Sequence, residues 1–148
     1  MKNKQKNSTF DLKENEKFDN FAQKWWNVKG ELMALHLFNE LRIPYILNSL
    51  NKDISTPKPL KNLNILDIGC GGGILSESLA RAGSDVKAID LADGPLSVAE
   101  IRRRETKLNI SYEKCSTSEL VDRGEKYDVI TCLEMLEHVP EPLSLIHI

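Results

Sequence analysis

Two hydrophobic periods divide the chain. From Glu31 to Leu50 the apolar residues recur with helical spacing, Leu32, Leu35, Phe38 and Leu41 falling every three positions. Pro44 cannot continue that helix but suits the first turn of a new one, so Leu41-Arg42-Ile43 is expected to be a joint between two helices. Residues 51–63, with Pro57 and Pro59, read as a linker. After Leu63 the rhythm shortens. Asn64–Ile68, Val86–Asp90, Ile110–Cys115 and Tyr127–Cys132 read as short strands, the third weaker because Ser111 and Lys114 interrupt it. Ile74–Ala82, closed by Gly83, Pro95–Leu108 with three arginines expected on its outer side, and Ser118–Arg123 alternate with them as helices. Strands alternating with helices predict an α/β fold with a parallel sheet and right-handed crossovers.

The first 17 residues are polar and rich in Lys and Asn, and are expected to be a disordered tail. Phe18, Phe21, Trp25 and Trp26 follow at near-helical spacing, and two readings stay open: packing on the main domain, or a lid over a binding site. The expected organisation is therefore a tail (1–17), a helical segment with its linker (18–63) and a partial α/β domain (64–148). Only about four strands are present. Stopping there would expose a sheet edge, so a fragment of a longer protein is expected.

The 148 residues are 41% hydrophobic and 28% charged, with a net charge of -2, which offers nothing to recruit nucleic acid. Cys70, Cys115 and Cys132 are too scattered for a zinc site or a disulfide framework. No apolar run approaches the roughly 18 residues of a membrane span, and the N-terminus lacks the apolar stretch of a secretory signal.

The chemistry gathers at Leu66-Asp67-Ile68-Gly69-Cys70-Gly71-Gly72-Gly73, between a predicted strand and a predicted helix. Such a turn binds ligands because glycine allows tight turns and close backbone approach. The bland alternative is a tight turn flanked by two solvated acids. The spacing is Asp-x-Gly-x-Gly-x-Gly; the dinucleotide pattern G-x-G-x-x-G would need glycine where Ile74 stands. Asp67 would repel a pyrophosphate but suits a ligand carrying an ammonium and a sulfonium. Asp90 ends the next strand, about 20 positions on, where a carboxylate can bind ribose hydroxyls. Two acids and this loop fit S-adenosylmethionine better than NAD. Further along, Glu134, Glu137 and His138 are the other candidates. Residues three apart share a helical face, so they can hold a divalent ion; equally, one glutamate can cap a turn while His138 acts as a base or packs.

LDIGCGGGILSESLARAG (66–83) with AIDLADGPLSVA (88–99) resembles the class I methyltransferases. FDNFAQKWW (18–26), LRIPYI (41–46) and YDVITCLEMLEHVPEP (127–142) are similar to the ubiquinone-biosynthesis O-methyltransferases of bacteria and mitochondria. That resemblance implies a Rossmann-like, seven-stranded sheet. It implies S-adenosyl-L-methionine-dependent O-methylation of a polyprenylated catechol or hydroxyphenol at a membrane surface, alongside other ubiquinone-biosynthesis proteins. It implies cytoplasmic residence, with peripheral attachment to the inner membrane. By match to the family's motifs, Gly69 lies against the cofactor within a loop that includes Gly71. Asp90 holds the ribose, Arg42 reaches in from the amino-terminal side, and Leu133, often methionine in bacterial relatives, lies on the adenosine. The mitochondrial members imply a magnesium ion at Glu134, Glu137 and His138. After Pro142 the chain departs from the family, which continues for roughly a hundred residues. Competing readings are another small-molecule methyltransferase, an NAD-dependent oxidoreductase disfavoured by Asp67 and Ile74, and a non-catalytic cofactor-binding fragment.

Overall fold

Four apolar runs form one parallel sheet. In the computed structural model, which describes residues 24–146, they are β1 (Asn64–Ile68), β2 (Asp85–Asp90), β3 (Ile110–Lys114) and β4 (Val129–Cys132). The expected tail and the residues Phe18 and Phe21 lie outside the described residues. The strand order is β3-β2-β1-β4, with Ile68 paired to Ile89 on one side and to Cys132 on the other. β1 is buried along nearly its whole length because both its faces are covered, whereas β3, on the sheet edge, carries Ser111, Glu113 and Lys114. Ile65, Val86, Ala88 and Ile110 pack with Leu75 and Leu79 of helix α2 (Ile74–Arg81). Leu66, Ile68 and Ile89 pack on the other face with Leu120 and Leu145.

The amino-terminal helix differs from expectation. Met33–Ser49 is one helix, α1, with Pro44 inside it, so Leu41-Arg42-Ile43 is helix rather than a joint. A proline removes one backbone hydrogen bond, here to the carbonyl of Glu40. Both Pro44 and Glu40 are exposed, so the break falls on the solvent side of the helix. Ile46 and Leu47, both buried, anchor the second half of the helix in the core and hold it on course. The three-residue spacing of Leu32, Leu35, Phe38 and Leu41 drifts around the helix, since a turn takes 3.6 residues. Leu41 is consequently 72% exposed. The linker 51–63 is tied down near its end: Leu60 is fully buried and its N–H donates to Ala82 O at 2.9 Å, and Leu63 O accepts from Asp85 N at 2.9 Å.

Helix α3 (Asp93–Thr106) carries the three arginines, but not all face outward. Arg102 turns in to Glu77, a buried carboxylate on α2, with Nε–Oε2 at 2.9 Å. The sequence stripe hides this because the partner lies on another helix.

Helix α4 (Thr117–Asp122) starts one residue before its expected first turn because Ser116 caps it. The Ser116 hydroxyl accepts from Glu119 N at 3.3 Å, and the Glu119 carboxylate accepts from Ser116 N at 2.7 Å. Ser116→Ala is expected to cost about 1 kcal/mol, the usual value of an N-cap side chain, in urea unfolding. An unchanged midpoint would mean that water replaces the cap.

A short 3₁₀ turn (Leu136–His138) and α5 (Pro142–Ile146) follow β4.

Candidate functional site

The strand order fixes where a ligand can sit. The chain runs outward from β1 through β2 to β3, then returns to place β4 on the other side of β1. The loops after β1 and β4 therefore diverge at the carboxyl edge of the sheet and leave a crevice, the usual ligand position in open α/β sheets. A cavity of about 400 Å³ occupies it.

The glycine loop forms its floor. Gly69 N and Cys70 N both donate to Ile89 O, at 2.9 and 3.0 Å, which folds the loop back over the end of β2. Gly69 and Gly71 have φ of +71° and +53°, in the left-handed region that glycine adopts without strain. Side chains there would also collide: a Cβ on Gly69 would lie 2.6 Å from Met135 Cγ, and one on Gly71 2.4 Å from the Trp25 ring.

Two carboxylates end β1 and β2 in the cavity wall. Asp90 accepts three backbone N–H groups, from Gly71 at 2.8 Å, Leu91 at 2.7 Å and Ala92 at 3.0 Å. It thus holds the loop in shape as well as facing the cavity. Asp67 is 2% exposed; its oxygens accept from Ser76 Oγ at 2.6 Å and Thr131 Oγ1 at 2.8 Å. Burial pushes its carboxyl up from 3.8 to about 6, and the nearby Asp90 charge adds to the rise, against the pull of the two hydroxyls and of Arg42.

The opposite wall comes from α1 and the segment after β4. Arg42 reaches across and forms an ion pair with Glu134. Its guanidinium carbon lies 5.6 Å from the centre of the Phe38 ring. Glu134 adopts a left-handed backbone, φ +55°, an uncommon conformation for a side-chain-bearing residue. Leu133 and His138 also line the cavity. Of the expected site residues, Arg42, Asp67, Gly69, Gly71, Asp90, Leu133, Glu134 and His138 all meet here, while Glu137 is not in its wall.

A divalent ion does not fit this arrangement. Glu134, Glu137 and His138 do not converge: among the described residues, no three His, Cys, Asp or Glu side chains are grouped to hold a metal. The reason lies in the backbone. The 3₁₀ turn begins only at Leu136, so Glu134 sits outside it and turns to Arg42 instead of sharing a face with Glu137.

The tryptophan pair packs against the glycine loop, and Trp25 lines the cavity. Trp26 Nε1 donates to Gly72 O at 2.9 Å, and the Arg102 guanidinium lies 4.3 Å from the centre of its ring. Trp25, 7% exposed, rests against Gly71 and Gly72 and lines the cavity, and His36 Nε2 lies 2.7 Å from its carbonyl oxygen. Both open readings thus describe the pair in part: Trp26 packs on the domain, and Trp25 covers the loop. Cys115, Ser116, Thr117 and Met135 also line the wall. They carry no chemical signature in sequence, and only the helix cap at Ser116 could have marked one of them.

Residues 65–146 match the family model described as a methyltransferase domain. The chain is 44% identical over 146 residues to the ubiquinone biosynthesis O-methyltransferase of Hydrogenovibrio crunogenus, covering 98% of this chain and 56% of that protein. It is 42% identical over 137 residues to the enzyme of the same name from Aliivibrio fischeri, covering 92% and 56%. The chain thus spans a little over half the length of these curated relatives. Magnesium protoporphyrin IX methyltransferase from Synechocystis PCC 6803, solved with bound SAM, shares the fold with a TM-score of 0.69 at 21% identity, over 94% of this chain and 71% of that one.

Proposed function

Because the chain belongs to the methyltransferase-domain family, we propose that it is the S-adenosylmethionine-binding part of an O-methyltransferase of ubiquinone biosynthesis. Its acceptor is a polyprenylated catechol or hydroxyphenol. The protein works in the cytoplasm and meets that substrate at the inner-membrane surface, together with other proteins of the same biosynthesis. No helix among the described residues is long and apolar enough to cross a membrane. The observation that carries the reading is the Asp-x-Gly-x-Gly-x-Gly loop folded so that Asp67 and Asp90 face one cavity. The relatives' names support the acceptor class.

Bound S-adenosylmethionine supplies a methyl group already activated by its sulfonium. The chain's residues bind and orient. Asp90 accepts from the ribose hydroxyls, Asp67 favours the ligand's positive groups, and Leu133 gives the adenine an apolar surface. Alignment of the acceptor oxygen with the methyl carbon supplies much of the rate. His138, in the cavity wall, takes the phenolic proton.

Calorimetric titration tests the reading. S-adenosylhomocysteine is expected to bind and NAD is not, since Asp67 and Ile74 oppose a pyrophosphate. Tight NAD binding would sink the assignment. Asp90→Ala is expected to cost roughly 1.5–3 kcal/mol of S-adenosylhomocysteine affinity, the range for hydrogen bonds to a charged group. It should also lower the unfolding midpoint, because three backbone donors lose their acceptor. Unchanged affinity with lowered stability would leave Asp90 only its loop-holding part.

A further inference from the structure

Asp67 lines the cavity, and the two hydroxyls that hold it stand behind it, outside the wall. Ser76 of α2 is fully buried and Thr131 of β4 is 6% exposed; they donate to different oxygens of the carboxylate, at 2.6 and 2.8 Å. Both pass over the partner that their backbone setting offers. A serine inside a helix can donate to the carbonyl four residues back. Ser78 does so, with Oγ 3.3 Å from Ile74 O, whereas Ser76 turns to Asp67. Thr131 Oγ1 lies 3.4 Å from Leu66 O but 2.8 Å from Asp67 Oδ1. Tyr112 of β3 adds a further link, its hydroxyl bonding to that of Ser76. Side chains from α2, β3 and β4 thus converge behind one acid of β1.

A buried carboxylate keeps its charge only where hydrogen bonds or opposite charges offset the lost water. It has about four acceptor sites, so two hydroxyl donors still leave lone pairs for a ligand. The charges nearest Asp67 are Asp90 at the end of β2, which opposes its ionisation, and Arg42 of α1, which favours it. Arg42 is itself paired with Glu134, whereas the two hydroxyls are committed to Asp67. Cys70, Tyr112 and Cys132 also face the carboxylate, but burial raises all three, so they carry no charge near neutral pH. Resting on the proposed function, we propose that Ser76 and Thr131 are positioning residues of the cofactor site: from behind Asp67 they hold its carboxylate ionised and oriented for the ammonium and sulfonium of bound S-adenosylmethionine.

Ser76→Ala and Thr131→Val each delete one donor, and Thr131→Ser keeps it. Calorimetry on the 148-residue chain would follow S-adenosylmethionine affinity from about pH 5 to about pH 8. In the unsubstituted chain affinity is expected to rise with pH as Asp67 ionises. In Ser76→Ala and Thr131→Val the midpoint of that rise should move up by about one pH unit, the effect of one hydrogen bond to a charged group. The loss of affinity should therefore approach roughly tenfold at the acid end and fade toward the alkaline end. Thr131→Ser should keep the midpoint of the unsubstituted chain. Asp90, Arg42 and His138 are present in every protein compared, so a displaced midpoint belongs to the deleted hydroxyl. An unmoved midpoint, or a loss equal at every pH, would overturn the proposal and leave the hydroxyls a packing role. Thr131→Val matches threonine in shape and carries the test should Ser76→Ala fail to fold. If the unsubstituted chain binds no S-adenosylmethionine at any pH, the cofactor reading itself falls. If it binds without a rise in affinity, that reading stands and this proposal alone is overturned.

Discussion

Replacing His138 with alanine is expected to slow methyl transfer by roughly 10²–10⁴-fold, the span of general base catalysis, in the full-length protein that carries this sequence. S-adenosylhomocysteine affinity should stay within about twofold. The imidazole belongs to the 3₁₀ turn after β4 and lines the cavity, as the proposed base must. Single-turnover rates with a prenylated catechol would separate the proton-transfer step from cofactor binding. The same assay run with chelator addresses the metal. Glu134 is committed to Arg42, and no metal-sized cluster exists among the described residues, so chelator is expected to leave the rate unchanged. Glu134→Gln then acts through Arg42: it weakens the ion pair and should alter cofactor affinity more than the chemical step. Chelator-sensitive turnover restored by magnesium would reverse this, and would require Glu134 to leave Arg42 and the backbone after β4 to refold.

Much of the sheet was legible because each strand's signal is local. A parallel strand covered on both faces is a short continuous apolar run, and β1 reads to the residue as Asn64–Ile68. The loop between β1 and α2 was legible for the same reason, since its glycines answer to local backbone demands. What was not legible depends on distant partners. Pro44 looks like a helix break until Ile46 and Leu47 are seen buried in the core beyond it. Arg102 looks solvent-facing until Glu77 of another helix turns it inward. Glu134 looks like a ligand by its spacing from Glu137, yet its partner, Arg42, lies 92 positions away. Asp90 reads as a ribose-binding carboxylate, and only the fold shows the three backbone donors that also use it to shape the loop. Sequence spacing located the site; competition among partners inside it needed the fold.

Asp67 shows the sharpest conflict between stability and binding, and the conflict can be titrated. Burial raises its carboxyl from 3.8 to about 6, so the folded chain holds a proton that the unfolded chain releases between those values. The folded form is thus favoured below about pH 4, and this stabilisation is lost as pH rises through about 6. Roughly two pKa units correspond to about 3 kcal/mol. Asp67→Asn keeps an acceptor for one hydroxyl and offers an N–H to the other, which an alcohol oxygen accepts, and it has no charge to bury. The variant is therefore expected to gain up to about 3 kcal/mol on the unsubstituted chain between pH 4 and pH 7, read as the difference between their urea-unfolding curves. That difference removes the contributions of carboxylates remote from Asp67, while Asp90, which shares its field, remains part of what is read. Binding should run the other way. A ligand with an ammonium and a sulfonium favours the ionised carboxylate, so S-adenosylmethionine affinity is expected to rise with pH through about 6 in the unsubstituted chain. It should be weaker and flatter in Asp67→Asn. Parallel stability curves would show that Asp67 is solvated and ordinary. A stability difference without the matching rise in affinity would mean that its charge is buried for some reason other than the cofactor.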